Sequence, residues 1–500
     1  VYEDYPVITR SARLVQKGDQ KIRLENVMSA AVEFPDMDYE MIHLSGAWAR
    51  ERYVKTRKLE MGTQAVQSLA GTGSSSEQNP FIALKRPHTT EDTGEVFGFS
   101  FVYSGNFLAQ VEVSTYEMTR VMMGINPQGF SWELSKDEEF QTPEVVMVYS
   151  DKGLNGMSQA YHRLYRDRLM RGKWRNHARP ILLNNWEATY FDFDEAKLVK
   201  LMDDAVELGV DMFLLDDGWF ANKYPRKDDH AGLGDWEATK SKLPDGIPGL
   251  VRDAKKAGVK FGIWIEPEMV NPKSELFEKH PDWVIMQPKR DTYYYRNQLV
   301  LDISNPKVQD YVFGIVDRIM TENPDVAYFK WDCNSVITNI YSPYHKENQG
   351  NFYIDHVRGI YKVLTRIHNK YPKLPMMLCS GGGGRMDYEM LKYFTEFWCS
   401  DDTDPYERLY IQWSLSKFFP AKTMGSHVTN WNKNTSVKFR TDVCSSCKLG
   451  FDIDLKSLSG DDYKFVQNAV KNYDSMKPMI LEGDQYRLVS PYERNHCAIN

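Results

Sequence analysis

The sequence is poor in cysteine, has no long apolar run and carries no block of charge of one sign. Six cysteines in 500 residues are too few for a disulfide scaffold. Cys444 and Cys447 form a C-x-x-C pair, but no second ligand pair follows to complete a zinc site. Nor is there a thioredoxin-like β-α-β context, so all six read as ordinary thiols. No apolar stretch reaches membrane-spanning length, so no membrane partner is expected. The 62 basic and 69 acidic residues give a net charge of −7. With the two signs interspersed, nucleic acid is excluded as a partner. Ser380-Gly381-Gly382-Gly383-Gly384-Arg385 lacks the Lys-Ser/Thr ending of a phosphate loop, and no G-x-G-x-x-G follows the first strand of a nucleotide-binding unit. No histidine pair lies at neighbouring strand ends, so neither a transition metal nor another cofactor is expected. The opening Val1-Tyr2-Glu3-Asp4-Tyr5 has no signal-peptide core. Both ends read as trimmed, and a cytoplasmic location is the expectation.

What is present is a long globular chain, 42% hydrophobic. Residues 1–150 hold short alternating runs, such as Phe97–Tyr103 and Ala109–Ser114, and read as a partial N-terminal β-sandwich. Residues 151–178 carry a linking helix from about Leu154 to Lys173, with Asp151 as its cap. Over 179–440, apolar strands alternate with amphipathic helices. The strands expected are Ile181–Trp186, Met212–Asp217, Lys260–Glu266, Gln298–Asp302, Tyr328–Asp332, Met376–Cys379, Phe397–Asp401 and Met424–Val428. Eight strands in roughly 250 residues predict an α/β fold, a (β/α)8 TIM barrel. Residues 441–500 read as the barrel's end and the start of a C-terminal β-domain.

Almost every expected strand ends in polar or ionisable residues. In a barrel those ends ring one mouth, where active sites lie. Tyr328-Phe329-Lys330-Trp331-Asp332-Cys333-Asn334 is the sharpest case. In a strand Lys330, Asp332 and Asn334 share one face, and a lysine beside an acid favours its ionised, nucleophilic form. A structural ion pair at a strand end is the plain alternative. Glycoside hydrolysis needs a second carboxyl group. Trp398-Cys399-Ser400-Asp401-Asp402-Thr403-Asp404 offers three acids, and spacing does not choose among them. One or two of them can instead cap the helix that Pro405 begins. Asp216-Asp217-Gly218 is another acidic pair, suited to accept hydrogen bonds from sugar hydroxyls. Trp264 shares a face with Glu266 and Glu268 and can stack on a sugar or serve as plain core. The glycine run after the sixth expected strand lets backbone approach a ligand closely.

Eight stretches, in order, resemble glycoside hydrolase family 36, the α-galactosidases. They are Asn184–Tyr190, Leu215–Phe220, Leu233–Trp236, Trp264–Val270, Arg296–Asp302, Lys330–Asn334, Cys379–Arg385 and Ser400–Asp404. The resemblance implies a retaining exo-α-galactosidase acting on a small oligosaccharide. Asp332 would be the nucleophile and Asp401 the general acid/base. Asp216 and Asp217 would hold the 4- and 6-hydroxyls of galactose, and Lys330 and Arg296 other ring hydroxyls. Cys379, Gly381 and Gly382 would line the 2-position, with Trp186, Trp236 and Trp264 as pocket walls and Asn334 among the substrate-binding residues. The resemblance also implies a homo-oligomer, since some members are tetramers. Cys333-Asn334-Ser335 departs from the Met-Asn-Arg that often continues the Lys-Trp-Asp motif. The rival activities are an α-N-acetylgalactosaminidase, a galactosyl-transferring transglycosylase, a sugar-binding protein without turnover and a metal-dependent hydrolase.

Overall fold

Eight short parallel strands close into a barrel at the centre of the computed structural model, which describes residues 1–500. In order they are β1 (Leu182–Asn184), β2 (Met212–Leu215), β3 (Lys260–Ile265), β4 (Val326–Trp331), β5 (Met376–Leu378), β6 (Glu396–Trp398), β7 (Met424–Thr429) and β8 (Lys448–Asp452). β8 pairs back onto β1 at Leu183↔Phe451 and Asn184↔Asp452. Met212-Phe213-Leu214-Leu215 is buried throughout, as expected for a parallel strand covered on both faces.

The surrounding helices carry the start and stop signals their positions require. Asp194 accepts a hydrogen bond from Lys197 N to open the helix Glu195–Leu208, and Gly209 closes it at φ 87°, a left-handed stop that glycine adopts without strain. Asn305 caps Pro306–Glu322 and Asp404 caps Pro405–Leu415, each with proline in the first turn. The linking helix runs from Gly153 to Leu164; its cap position is Lys152, with no side-chain bond, and not Asp151. All six cysteines are free thiols.

Two strand assignments need correction. Gln298–Asp302 is not a barrel strand: Leu299–Val300 pairs antiparallel with Met269–Val270, outside the barrel. Its apolar run matches a barrel strand because Leu299, Val300 and Leu301 are buried, but in this two-stranded ribbon. The missing strand is β8, whose hydropathy is disguised by Lys448 and Gly450. Lys448 is 2% exposed and pairs with Glu396 at 3.4 Å across the barrel interior. Asp332 therefore follows β4 and Asp401 follows β6. Alternate strands feed the same layers of such an interior, and both acids line one cavity at the mouth.

Residues 1–150 form a six-stranded and a four-stranded antiparallel sheet around their own core. One hairpin of the larger sheet, Glu40–Ala47 with Arg50–Lys58, turns through Trp48-Ala49. Beneath its tip Arg52 is buried and donates to the carbonyls of Cys399 and Gly383. That contact fixes the tip over the barrel mouth. At the other end of the chain, the helix Gly460–Glu482 leads to an antiparallel pair, Arg487–Val489 with Ala498–Ile499.

Candidate active site

The strand ends and the Trp48 hairpin enclose a cavity of about 1070 Å³, at the upper end of the ~300–1,000 Å³ usual for small-molecule sites. β4 supplies its floor. Lys330, Asp332 and Asn334 face the cavity, while Trp331 turns outward and donates to Glu268 Oε1 at 2.7 Å. This is the alternation expected of a strand.

Asp332 is 6% exposed. Its Oδ1 accepts from Cys333 N at 2.8 Å and Gly381 N at 3.3 Å, and its Oδ2 from Trp264 Nε1 at 3.2 Å. Burial pushes its pKa up, but the charges of Lys330 and Arg296, with hydrogen bonds from the Asn334 side chain and Cys333 N, hold it below the ordinary value. The carboxylate is thus ionised and cannot rotate freely. Lys330 Nζ donates to Asp216 Oδ2 at 2.8 Å. Burial alone would lower the lysine, yet Asp216 and Asp332 leave it raised and charged. Asn184 Nδ2 also donates to Asp216 Oδ2, at 2.6 Å. Asp217 is gripped by Arg226 through Nε at 3.0 Å and Nη2 at 2.9 Å.

The three acids after β6 separate by geometry. Asp401 lines the cavity; Trp48 Nε1 donates to its Oδ2 at 2.9 Å and Trp398 Nε1 to its Oδ1 at 3.1 Å. Asp402 turns into its own loop, accepting from Asp404 N at 2.8 Å. Asp404 caps the following helix through Tyr406 N. Burial and then the charge of Asp332 raise the Asp401 pKa. The glycine turn ties the two acids together. Gly381 touches Asp332, while a Cβ on Gly382 would stand 2.7 Å from Glu51 Oε1 and 2.8 Å from Asp401 N. With φ at 75° and no room for a Cβ, Gly382 is the position that requires glycine.

Trp186, Trp264 and Arg296 also line the cavity, and Arg296 does so from a left-handed backbone at φ 52°. Three of the expected residues do not reach it. Trp236 lies behind Trp264, ring centroids 6.1 Å apart, because Phe220 and Trp219 pack it into the core. Cys379 is buried with Tyr328 and Met377 just below the cavity surface, its thiol against the Asp332 carboxyl. Gly382 passes between Glu51 and the Asp401 backbone. Sequence reasoning missed Arg226, Trp48 and Glu51. Arg226 sits in an ordinary charged loop, and the other two come from a hairpin whose docking no local pattern announces.

Two comparisons settle the kinship. Residues 139–483 match the Melibiase family and residues 1–135 the glycosyl hydrolase family 36 N-terminal domain. The chain belongs to glycosyl hydrolase family 36. It is a glycoside hydrolase of the α-galactosidase type, similar over its whole length to curated family 36 enzymes. It is 46% identical over 503 residues to alpha-galactosidase AgaA of Geobacillus stearothermophilus, covering 99% of this chain and 68% of that protein. It is 42% identical to alpha-galactosidase 1 of Pediococcus pentosaceus, covering 100% and 68%. The crystal structure of AgaA superposes with a TM-score of 0.97 over 100% of this chain and 70% of that one. Variants of AgaA have been solved in complex with raffinose and with stachyose, at TM-scores of 0.96 and 0.97 and 45% and 46% identity, each covering 100% of this chain and 70% of the other.

In this family 36 chain the mouth is braced by a second layer of charge. Arg385, after the glycine turn, donates to Glu268 at 3.0 and 2.5 Å, and both are buried. Burial pushes Glu268 up, but Arg385 and Trp331 hold it below its ordinary pKa. Removing one partner of such a pair leaves a bare charge, at a cost of about 3–5 kcal/mol. Arg385→Met is therefore expected to lower the denaturation free energy by that amount in urea titration, while exposed Arg120→Met, paired with Glu33 on the sandwich, leaves it essentially unchanged.

Proposed function

We propose that Asp332 attacks the anomeric carbon of a terminal α-galactosyl unit while Asp401 protonates the departing oxygen, and that Asp401 then deprotonates the water that releases galactose. The supporting observation is that two carboxyl groups lining one cavity are shifted in opposite directions by their surroundings. Asp332 is drawn toward its ionised form by Lys330 and Arg296, with hydrogen bonds from the Asn334 side chain and Cys333 N; Asp401 is pushed toward its protonated form by burial and by Asp332 itself. Acid and nucleophile assignments follow from such a split. The arrangement also cycles. Once Asp332 is esterified its charge is gone, so Asp401 loses the repulsion that raised its pKa and becomes the base the second step needs.

Asp216, clamped to Lys330, and Asp217, clamped to Arg226, are the acceptors for the 4- and 6-hydroxyls. Both carboxylates are buried with cations in place, so a sugar lacking a matching hydroxyl leaves a charged acceptor unsatisfied. Asn334, Arg296 and Gly381 bind nearer the anomeric carbon. The cavity continues past Asp401 to Trp48, Arg50 and Trp431, which leaves room for the rest of a small oligosaccharide. Raffinose- and stachyose-type galactosides are the substrates this reading favours, by analogy with the relatives crystallised with them. The same kinship favours a homo-oligomer, which light scattering of the purified chain tests.

Matched nitrophenyl α-galactoside and α-N-acetylgalactosaminide test the specificity. The first is expected to be hydrolysed far faster; preference for the second overturns the galactose reading. Trp48 positions the proposed acid, although it is 62% exposed. Its indole N–H stabilises the ionised carboxylate, so Trp48→Phe is expected to move the alkaline limb of kcat/KM upward. Exposure limits the shift to about half a pH unit.

A further inference from the structure

Two acids in the cavity wall have no part in the chemistry above. Asp452 ends β8, and Glu187 lies in the short helix Trp186–Thr189 that follows β1. Closure of the barrel at Asn184↔Asp452 brings them together. Glu187 N donates to Asp452 Oδ1 at 2.7 Å, and Thr403 Oγ1 donates to Glu187 Oε1 at 3.0 Å. Asp216 and Asp217 each have a cation within salt-bridge distance; Asp452 and Glu187 have none. Asp452 is only 4% exposed. Its Oδ2 has no protein hydrogen-bond partner, and the surface the residue retains faces the cavity. A carboxyl oxygen with no protein partner that opens to the cavity is free to bond a ligand.

We propose that Asp452 and Glu187 are a further specificity-determining pair, which binds the exocyclic hydroxymethyl group of the galactosyl unit. The inference rests on the galactosidase reading. Asp452 stands within electrostatic reach of Asp216, the acid assigned to the 4- and 6-hydroxyl end of the sugar. The 6-hydroxyl gives its one hydrogen to the Asp216/Asp217 acceptors, so its lone pairs are left to accept from a carboxyl pair that holds one proton. Burial, and for Asp452 also the charge of Glu187, supports that proton count: Glu187 is pushed up to about 7 and Asp452 well above its ordinary range. The charged or titratable groups facing the pair are Lys330 on β4, Asp216 after β2, Arg408 on the helix after β6 and Tyr190 beyond β1. Lys330 and Arg408 oppose the rise without cancelling it.

The test compares nitrophenyl α-D-galactopyranoside with nitrophenyl β-L-arabinopyranoside, the same ring without the hydroxymethyl group. The parent, Asp452→Asn and Glu187→Gln are assayed on both. For each variant the galactoside kcat/KM is expected to fall about 10- to 100-fold, mainly through KM, with the arabinoside changed less than about threefold. The galactoside-to-arabinoside ratio is internal to each preparation, so partial unfolding does not move it. In the parent, galactoside KM is expected to rise above pH ~7 as the shared proton leaves, with arabinoside KM unchanged across that range. Equal losses on the two substrates, or no loss on either, overturn the proposal. Neither result touches the Asp332 assignment, which fails only if Asp332→Asn keeps parental turnover.

Discussion

Asp332→Gly is expected to lower kcat/KM on nitrophenyl α-galactoside by about ten-thousandfold or more, and added azide to restore turnover. The size follows from removing a nucleophile whose surroundings are built for it alone. Cys333 N, Gly381 N and Trp264 Nε1 aim at its oxygens, and no other cavity acid has that set of donors. Glu266, an acid close enough for the Asp332 charge to act on it, is committed elsewhere. It accepts from Gln298 at 2.7 Å and Asn334 N at 2.5 Å, and burial with the Asp332 charge pushes it up to about 8. Azide enters the space the carboxylate leaves, on the face opposite the leaving group, so the product expected by NMR is β-galactosyl azide. Recovery of the α-azide would place the attacking group on the other face and contradict the assignment.

Asp401→Asn is expected to show the complementary pattern. Hydrolysis of raffinose, whose leaving group needs a proton, falls about a hundred- to ten-thousandfold, while nitrophenyl galactoside loses much less in the first step. Azide then reacts with the accumulated glycosyl-enzyme and yields α-galactosyl azide. The parent's pH profile follows from the same two groups. Activity requires Asp332 ionised, so it is lost as pH falls through a value held below the ordinary carboxylate range. It also requires Asp401 protonated, so it is lost as pH rises through a value held above that range. Asp401→Asn is expected to remove the alkaline limb of this bell. An unchanged alkaline limb would assign that ionisation to another group.

The barrel was legible because period-two and period-3.6 patterns alternate along its sequence, and because strand ends repeatedly carry polar residues. Lys330, Asp332 and Asn334 were placed on one face by alternation alone, and they share that face. What failed has a physical cause in each case. Gln298–Asp302 has the hydropathy of a barrel strand because a two-stranded ribbon buries it as thoroughly. Lys448–Asp452 hid behind a lysine that the barrel interior neutralises with Glu396. Choice among Asp401, Asp402 and Asp404 needed the backbone, since all three are equally acidic and only the turn decides which enters the cavity. Trp236 carries the right chemistry but is packed behind Trp264 and Phe220. Trp48 and Glu51 lie more than 300 residues from Asp401 in sequence, and only the docking of the sandwich hairpin brings them to it.

Incubation with 2-deoxy-2-fluoro-α-galactosyl fluoride, followed by proteolysis and mass spectrometry, tests the central claim most directly. The 2-fluorine slows both formation and hydrolysis of the intermediate, and the fluoride leaving group restores formation, so the covalent intermediate accumulates. One galactosyl adduct is expected, on the peptide carrying Asp332 and localised to that residue. An adduct on Asp401 or on any other acid, or time-dependent inactivation with no covalent mass at all, would contradict it.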